Sequence, residues 1–289
     1  MDIEQVPYQF MDPSVLNYPI HNRSDSIESY FFNYSKKNEI QSNLTYLPIQ
    51  WTNYLVNNNY GNNIDELKSF ISKLDYRNKK FFTITQYAGG PLVDIDNTVV
   101  FSSGGMFNTQ KNKNLSYIYI PLITEKHKLL FKPKKKYKVG YIGRNTHPIR
   151  EKLIQKFSDS EKYNLISLES TPTKRDSRRF KKLISESLFS LCPRGFGPSS
   201  FRLYESIDIG SIPIYISDQF LLPFQDKIDW EKLSIIITFD EIDKLDSKVK
   251  HILDNDLYKE MLSYGKYCNE KYFTKNFVSS YIQETVEKF

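Results

Sequence analysis

The chain has 289 residues, 39% of them hydrophobic and 15% aromatic, with only 11 Gly and 13 Pro. That composition supplies packed cores and excludes the low-complexity and collagen-like classes, and the length predicts two domains. The balance of 40 Lys and Arg against 34 Asp and Glu leaves +6, which suits an anionic ligand and is less than a nucleic-acid binder usually concentrates.

Residues 1 to 20 carry Asp2, Glu4 and Asp12 with no basic start and no apolar run, so they do not read as a signal peptide. Through about residue 45 the Asn-, Ser- and Tyr-rich sequence has no clean period and predicts an irregular arm with short turns. Helices are predicted over Leu47 to Asn57 and Ile64 to Leu74, then strands over Lys80 to Thr85, Thr98 to Ser102 and Ser116 to Ile120. Lys132-Pro-Lys-Lys-Lys-Tyr-Lys138 is the sharpest composition shift and reads as a solvated linker, with a polybasic phosphate contact as the alternative.

After it the pattern restarts. Strand Tyr137 to Ile142 leads through a turn at Gly143-Arg144-Asn145 to helix Ile149 to Phe157, strand Tyr163 to Leu168, helix Lys174 to Ser187 and strand Leu188 to Cys192. A Gly/Pro loop, helix Ser200 to Ile209, strands Ile212 to Ser217 and Ser234 to Phe239, and a largely helical tail complete the chain. Strands alternating with helices imply a mostly parallel, doubly wound α/β sheet, whose ligands bind beyond the carboxyl ends of its strands. The loops 143 to 150 and 193 to 200 are therefore the ones to inspect, and both carry arginine.

The longest apolar runs fall well short of the ~18 residues needed to cross a bilayer. Cys192 and Cys268 supply no disulfide framework and no metal-spaced thiol cluster, which fits a reducing compartment. Sequons at Asn22, Asn33, Asn43 and Asn114 occur about as often as chance predicts. The expectation is a cytoplasmic or otherwise soluble chain with no integral membrane segment, in the Lys-, Asn-, Ile- and Tyr-rich usage of an AT-rich genome.

Cys192-Pro-Arg-Gly-Phe-Gly-Pro-Ser-Ser200-Phe-Arg202-Leu-Tyr-Glu205 is the most informative segment. Gly195 and Gly197 would let the backbone approach a ligand at positive φ, and Ser199 or Ser200 would cap a helix whose free N–H groups favour an anion. Arg194 adds a planar cationic fork, and Arg202 in the first helical turn can face the same crevice. Glu205, one turn on, either accepts hydrogen bonds from a ribose diol or pairs with Arg202 on the helix surface.

Ile207 to Asp218, Leu222-Pro-Phe224 and Ile228-Asp-Trp230 follow, and the whole string resembles the exostosin-like glycosyltransferases of family 47. Members typically show C-P-x-G, S-x-R-x-x-E, G-x-I-P-V-I-x-x-D, L-P-F and I-D-W in this order, and Val139-Gly-Tyr-Ile-Gly-Arg144 with Arg150 extends the likeness toward the N-terminus. The resemblance implies a GT-B fold, two Rossmann-like domains facing a cleft, and inverting transfer from a UDP-sugar to a glycan or glycoprotein hydroxyl. It places the donor on Arg194, Gly195, Gly197, Ser199, Ser200, Arg202 and Glu205, with Arg144 and Arg150 as further diphosphate candidates. No cofactor and no divalent metal are expected, since fixed arginines and helix-end N–H groups supply the electrostatic stabilisation. Neither nucleic acid nor an integral membrane segment is expected.

The expected division is an acceptor-side domain over 1–133, a donor domain over 134–270 and a C-terminal helix over 271–289 crossing back to the first. The acceptor side departs from the family: Phe81-Phe-Thr-Ile-Thr-Gln-Tyr-Ala-Gly-Gly-Pro91 has Gln86 and Tyr87 where His and Asp are usual. Asp94, Asp96, His21 and His127 are the remaining base candidates. A non-catalytic nucleotide-sugar-binding protein and a metal-dependent GT-A enzyme using Asp94 and Asp96 stand as alternatives. A nucleic-acid binder using the 132 to 138 run and surface aromatics is the third.

Overall fold

The computed structural model describes residues 1–12, 26–105, 115–127 and 133–289. The chain forms two compact units, one of Met1–Ile123 with Phe273–Phe289 and one of Thr124–Tyr272. His21 and Lys132 lie outside the described residues.

The first unit contains, in chain order, α1 (Tyr8–Met11), α2 (Ile27–Ser35), β1 (Leu44–Tyr46), α3 (Trp51–Asn57), α4 (Asp65–Ile71), β2 (Lys80–Thr85), β3 (Thr98–Ser102) and β4 (Leu115–Tyr119). Among the described residues the strands form one parallel sheet in the order β1-β2-β3-β4. Phe10, Trp51, Leu55, Leu67, Ile71 and Phe81 build its core on one side. On α2, Ile27 and Phe31 are fully buried, with the Phe31 ring edge-on to Tyr46 at 5.3 Å and Tyr46 stacked on Phe82 at 4.9 Å.

Residues 26–46 are thus not an irregular arm. Ser26 caps α2 by accepting the Ser29 N–H at 3.1 Å, and Leu44–Tyr46 supplies the edge strand. The helices predicted over 47–57 and 64–74 form, but shorter, as Trp51–Asn57 and Asp65–Ile71.

The second unit contains β5 (Tyr137–Arg144), α5 (Pro148–Phe157), β6 (Tyr163–Leu168), α6 (Lys174–Ser185), β7 (Ser187–Pro193), α7 (Phe201–Ile209), β8 (Ile212–Ile216), α8 (Trp230–Leu233), β9 (Ile235–Ile237), α9 (Leu245–Asp254) and α10 (Tyr258–Lys271). Gly143 and Arg144 belong to β5 rather than to a turn, because the strand keeps pairing with β6 through Arg144↔Leu168. Helix α11 (Lys275–Val286) returns to the first unit, where Gln283 accepts the Tyr34 hydroxyl at 2.8 Å.

Among the described residues the second sheet is also wholly parallel, in the order β6-β5-β7-β8-β9. Val139, Tyr141, Phe189, Leu191, Ile214 and Ile237 line its core. Strand β5 has its successor β6 on one side and β7 on the other, so the winding reverses between β5 and β7. Two parallel sheets with helical crossovers make the protein α/β, built of two Rossmann-like units. Among the described residues no helix is long and apolar enough to cross a membrane.

Candidate functional site

The crevice where the strand order reverses is where a doubly wound sheet holds its ligand, since loops leaving β5 and β7 diverge there and expose main-chain groups. Arg144 ends β5, Arg194 follows β7, Arg150 lies in the first turn of α5 and Arg202 in the first turn of α7. The fold brings to one sheet edge four cations that are spread over 59 positions of sequence.

Arg150 is only 7% exposed and braces the edge rather than opening to solvent. Its Nε donates to the Arg194 carbonyl at 2.9 Å, Nη1 to that of Arg144 at 3.0 Å and Nη2 to that of Pro193 at 3.2 Å, tying the end of β5 to the end of β7. Gly195 makes room for this: a Cβ there would stand 2.8 Å from Arg150 Nη2 and 3.1 Å from Thr146 Oγ1. The expected positive φ at Gly195 and Gly197 is not found, the positive-φ glycines being 61, 90, 105 and 210 among the described residues. Close approach of a neighbouring arginine is what requires glycine at 195.

Arg194 is held at both ends. Its N–H donates to the Ile216 carbonyl at 2.9 Å, and its buried guanidinium pairs with Asp218, just beyond β8. The Tyr215 hydroxyl lies 3.1 Å from the Pro198 carbonyl and 3.0 Å from that of Gln219, so the loops after β7 and β8 are fastened together. Phe196, at the tip of the first loop, is 63% exposed. The Gly195 N–H donates to the Gly197 carbonyl at 3.2 Å and closes the turn beneath it.

Arg202 Nη2 donates to the Ile142 carbonyl at 2.7 Å, and its guanidinium lies 4.8 Å from the centroid of the Tyr141 ring. Gly143 admits it, for a Cβ would meet Nη2 at 2.5 Å. Its Nε is buried without a hydrogen-bond partner among the described residues. Ser200 occupies the N-cap of α7, yet its side chain makes no capping bond, contrary to the expected Ser cap.

Two titratable groups register the resulting potential. Burial, and next the Arg202 cation, lower Arg150 to about 10. His147, which caps α5 by accepting the Ile149 N–H on Nδ1 at 3.3 Å, is lowered by burial, then by Arg194 and Arg150, with Asp218 opposing. Burial is the larger cause of both shifts, and the neighbouring guanidinium charges add to it.

Glu205 does not pair with Arg202: its carboxylate lies 3.7 Å from His127 Nε2. His127 is anchored beside α7, its main-chain N–H donating to the Asp208 carboxylate. His147 and Asp218 went unselected in the sequence, although a His before Pro148 and an Asp directly after a buried strand were the available signals. The remaining motif residues are structural. Leu222, Phe224, Ile228 and Trp230 are buried, Trp230 Nε1 donates to the Pro223 carbonyl at 2.8 Å, and Asp229 caps α8. Burial raises the Cys192 thiol to about 11 and makes it inert.

In the first unit Asp94 is exposed and Asp96 half-buried, either side of the buried Ile95, and Asp96 accepts the Asn97 N–H at 2.9 Å. Among the described residues no three His, Cys, Asp or Glu side chains gather as a metal cage. At the carboxyl end of β2 the Gln86 N–H donates at 2.7 Å to Glu28, which also receives the Thr52 hydroxyl at 2.7 Å and the Thr52 N–H at 3.1 Å. Burial, opposed by these donors, raises Glu28 to about 7. No sequence signal marked it, since its partners lie 24 and 58 residues away.

The fold and the site together are those of an α/β protein with four arginines gathered where the strand order of its second sheet reverses. A family model described as the exostosin GT47 domain matches residues 85–253, more than half of the chain, and the chain belongs to that family. A probable glucuronosyltransferase of Oryza sativa subsp. japonica is 32% identical over 124 residues, 43% of this chain and 28% of the relative. A probable glycosyltransferase of Arabidopsis thaliana is 30% identical over 105 residues, 36% of this chain and 22% of the relative. The match therefore spans about a quarter of these relatives' length. Among solved structures, TarM aligns with 91% of this chain and 58% of its own at 12% identity and a TM-score of 0.44. The pneumococcal O-GlcNAc transferase GtfA in complex with UDP and GlcNAc aligns with 91% and 59% at 10% identity and a TM-score of 0.44.

Proposed function

We propose that the chain is an inverting glycosyltransferase that moves a sugar from a UDP-sugar to a hydroxyl of a glycan acceptor without a divalent metal. The observation that carries this reading is the set of four arginines that the fold gathers at the β5/β7 switch point, with the guanidinium groups of Arg150, Arg194 and Arg202 engaged there by carbonyls and Asp218. In such a transfer the acceptor oxygen attacks the anomeric carbon in line as the bond to the β-phosphate oxygen breaks. The electron pair leaves with the nucleoside diphosphate, and a base takes the acceptor proton. Arg194 and Arg202, each fixed by hydrogen bonds before any ligand arrives, are the preorganised cations that would stabilise the departing diphosphate. Arg150 holds the crevice open from behind, and exposed Phe196 offers a face to the base or sugar. Because the rice relatives are named glucuronosyltransferases, UDP-glucuronate heads the donors to try.

A second reading is a non-catalytic nucleotide-sugar-binding protein, favoured by the buried Gln86 that stands where the family has histidine. One experiment separates the two. UDP and pyrophosphate are titrated calorimetrically, and a panel of UDP-sugars is assayed for turnover with and without chelator. UDP binding with chelator-resistant turnover supports the proposal, and UDP binding with no turnover of any donor supports the second reading. Activity abolished by chelator would overturn metal independence and return Asp94 and Asp96 as metal ligands.

A further inference from the structure

The arginine crevice leaves a second dense cluster of positive charge unused. Helix α6 holds Lys174, Arg175, Arg178, Arg179, Lys181 and Lys182 in 12 residues, against Asp176 as its one acidic residue. At 100° per residue these six cations fall within an arc of about 160°, while Phe180, Leu183 and Ile184 occupy the opposite side. Leu183 and Ile184 are buried in the unit, so the cationic arc faces outward along about 18 Å of helix.

This arrangement works against the helix that carries it. Lys174 and Arg175 sit in the first turn, where the helix dipole opposes positive charge. Lys174/Arg178, Arg175/Arg179 and Arg178/Lys182 are like-charge pairs at i,i+4, each destabilising. Relief is slight, since Asp176 meets Arg179 at 3.0 Å and serves mainly in a capping box with Thr173. The polybasic stretch before β5 then adds to the same surface. Lys135 Nζ donates to the Ser185 and Ser187 carbonyls at 3.0 and 2.8 Å, and Lys136 Nζ pairs with Glu186 at 2.7 Å. These contacts seat the stretch against the C-terminal end of α6 and leave Lys134 and Lys138 exposed. Two charge clusters about forty residues apart in sequence thus become one surface.

We infer that this surface docks the protein reversibly on an anionic lipid membrane. Clusters of four to eight cations on an amphipathic helix suit anionic headgroups, and the attraction adds up cation by cation. The shape favours lipid over other polyanions. The strip is the convex outer side of a helix packed along a sheet, which meets a plane well and gives a saccharide chain no groove. No aromatic or amide side chain stands among the cations of α6 to stack on or read a nucleotide base. The apolar arc is committed to the core, so binding is electrostatic and without insertion. This inference is independent of the proposed transferase activity.

The test is co-sedimentation of the full chain with phosphatidylcholine vesicles, with and without phosphatidylserine, at low and high salt. The wild type should bind the phosphatidylserine vesicles and be released by salt. The triple variant Arg175→Gln, Arg178→Gln, Lys182→Gln should bind about a hundredfold more weakly. It should melt at the same or a higher temperature, because its like-charge pairs are gone, and this separates lost docking from lost folding. Equal binding to both vesicle types, no binding at low salt, or an unaffected variant would overturn the inference. So would tighter binding to duplex DNA or to an acidic polysaccharide than to the vesicles.

Discussion

Glu28 makes a prediction whose size follows from the structure. Its carboxyl group is 1% exposed in the first unit and raised from about 4.5 to about 7, chiefly by burial. The folded state therefore holds this proton through a pH window in which the unfolded chain has lost it. Its contribution is fully present below about 4.5 and is lost as pH rises to about 7. At about 1.4 kcal/mol per pH unit the window is worth about 3 kcal/mol of unfolding free energy. Glu28→Gln imitates the neutral acid: its carbonyl can still accept from Gln86 and Thr52, while its amide group faces a donor at a cost of about 1 to 3 kcal/mol. The variant should be less stable at low pH, and the wild type should lose ground to it as pH rises. Urea unfolding of both proteins across this range, in a Trp230→Phe background, checks it. The fully buried Trp51, next in sequence to Thr52, then reports on the first unit alone. If the difference between the two stability curves stays flat across the window, Glu28 does not hold a proton in the fold and the reasoning fails.

At the proposed donor site, Arg194→Ala and Arg202→Ala should each forfeit a charge-assisted contact worth about 1.5 to 3 kcal/mol. The expected loss in UDP affinity is roughly tenfold to more than a hundredfold, and unchanged titrations in both variants would remove these arginines from the proposed diphosphate site. The cations that depress His147 should be neutralised by a bound diphosphate, so pyrophosphate should raise its pKa; an NMR titration of the imidazole, one of four in the chain, measures this. Gly195→Ala would place a methyl 2.8 Å from a guanidinium pinned by three carbonyls, so a loss of about 1 to 3 kcal/mol in thermal unfolding is expected. Wild-type stability in that variant would show that Arg150 can move.

The second unit was legible because its strands, β6 excepted, are short and largely buried runs framed by helical spacing. Strand Tyr163–Leu168 falls where the sequence placed it, and the neighbouring boundaries differ by a residue or two. The first unit hides its signals. Helix α2 buries Glu28, Ser29 and Ser35 beside Ile27 and Phe31, so three of its five buried residues read as polar, and β1 is three residues that become a strand by pairing with β2 and, through Tyr46, with Ile3. At the site, the residue types were readable and their employment was not. Sequence shows that Arg150 can meet a phosphate, but only the fold shows that three carbonyls already engage it. The glycines teach the same lesson, for composition cannot tell a close approach to a ligand from a close approach to an arginine.

The net charge illustrates why a sum is a poor guide to function. A formal +6 over the chain looks mild, yet α6 alone carries six cations against one carboxylate, a net +5 in 12 residues. The remainder of the chain is therefore close to neutral while still gathering four arginines at one crevice. Screening confines each effect to about 10 Å, so a ligand responds to the local density and not to the total. The two clusters also differ in kind. In the crevice Arg150, Arg194 and Arg202 are fixed by carbonyls, an aromatic face and Asp218, which suits recognition of a small anion of defined shape. Those of α6 are mostly exposed and mutually repelling on long side chains, which suits an extended anionic surface of no fixed geometry. Burial and preorganisation, rather than residue type, separate the proposed recognition site from the proposed docking face.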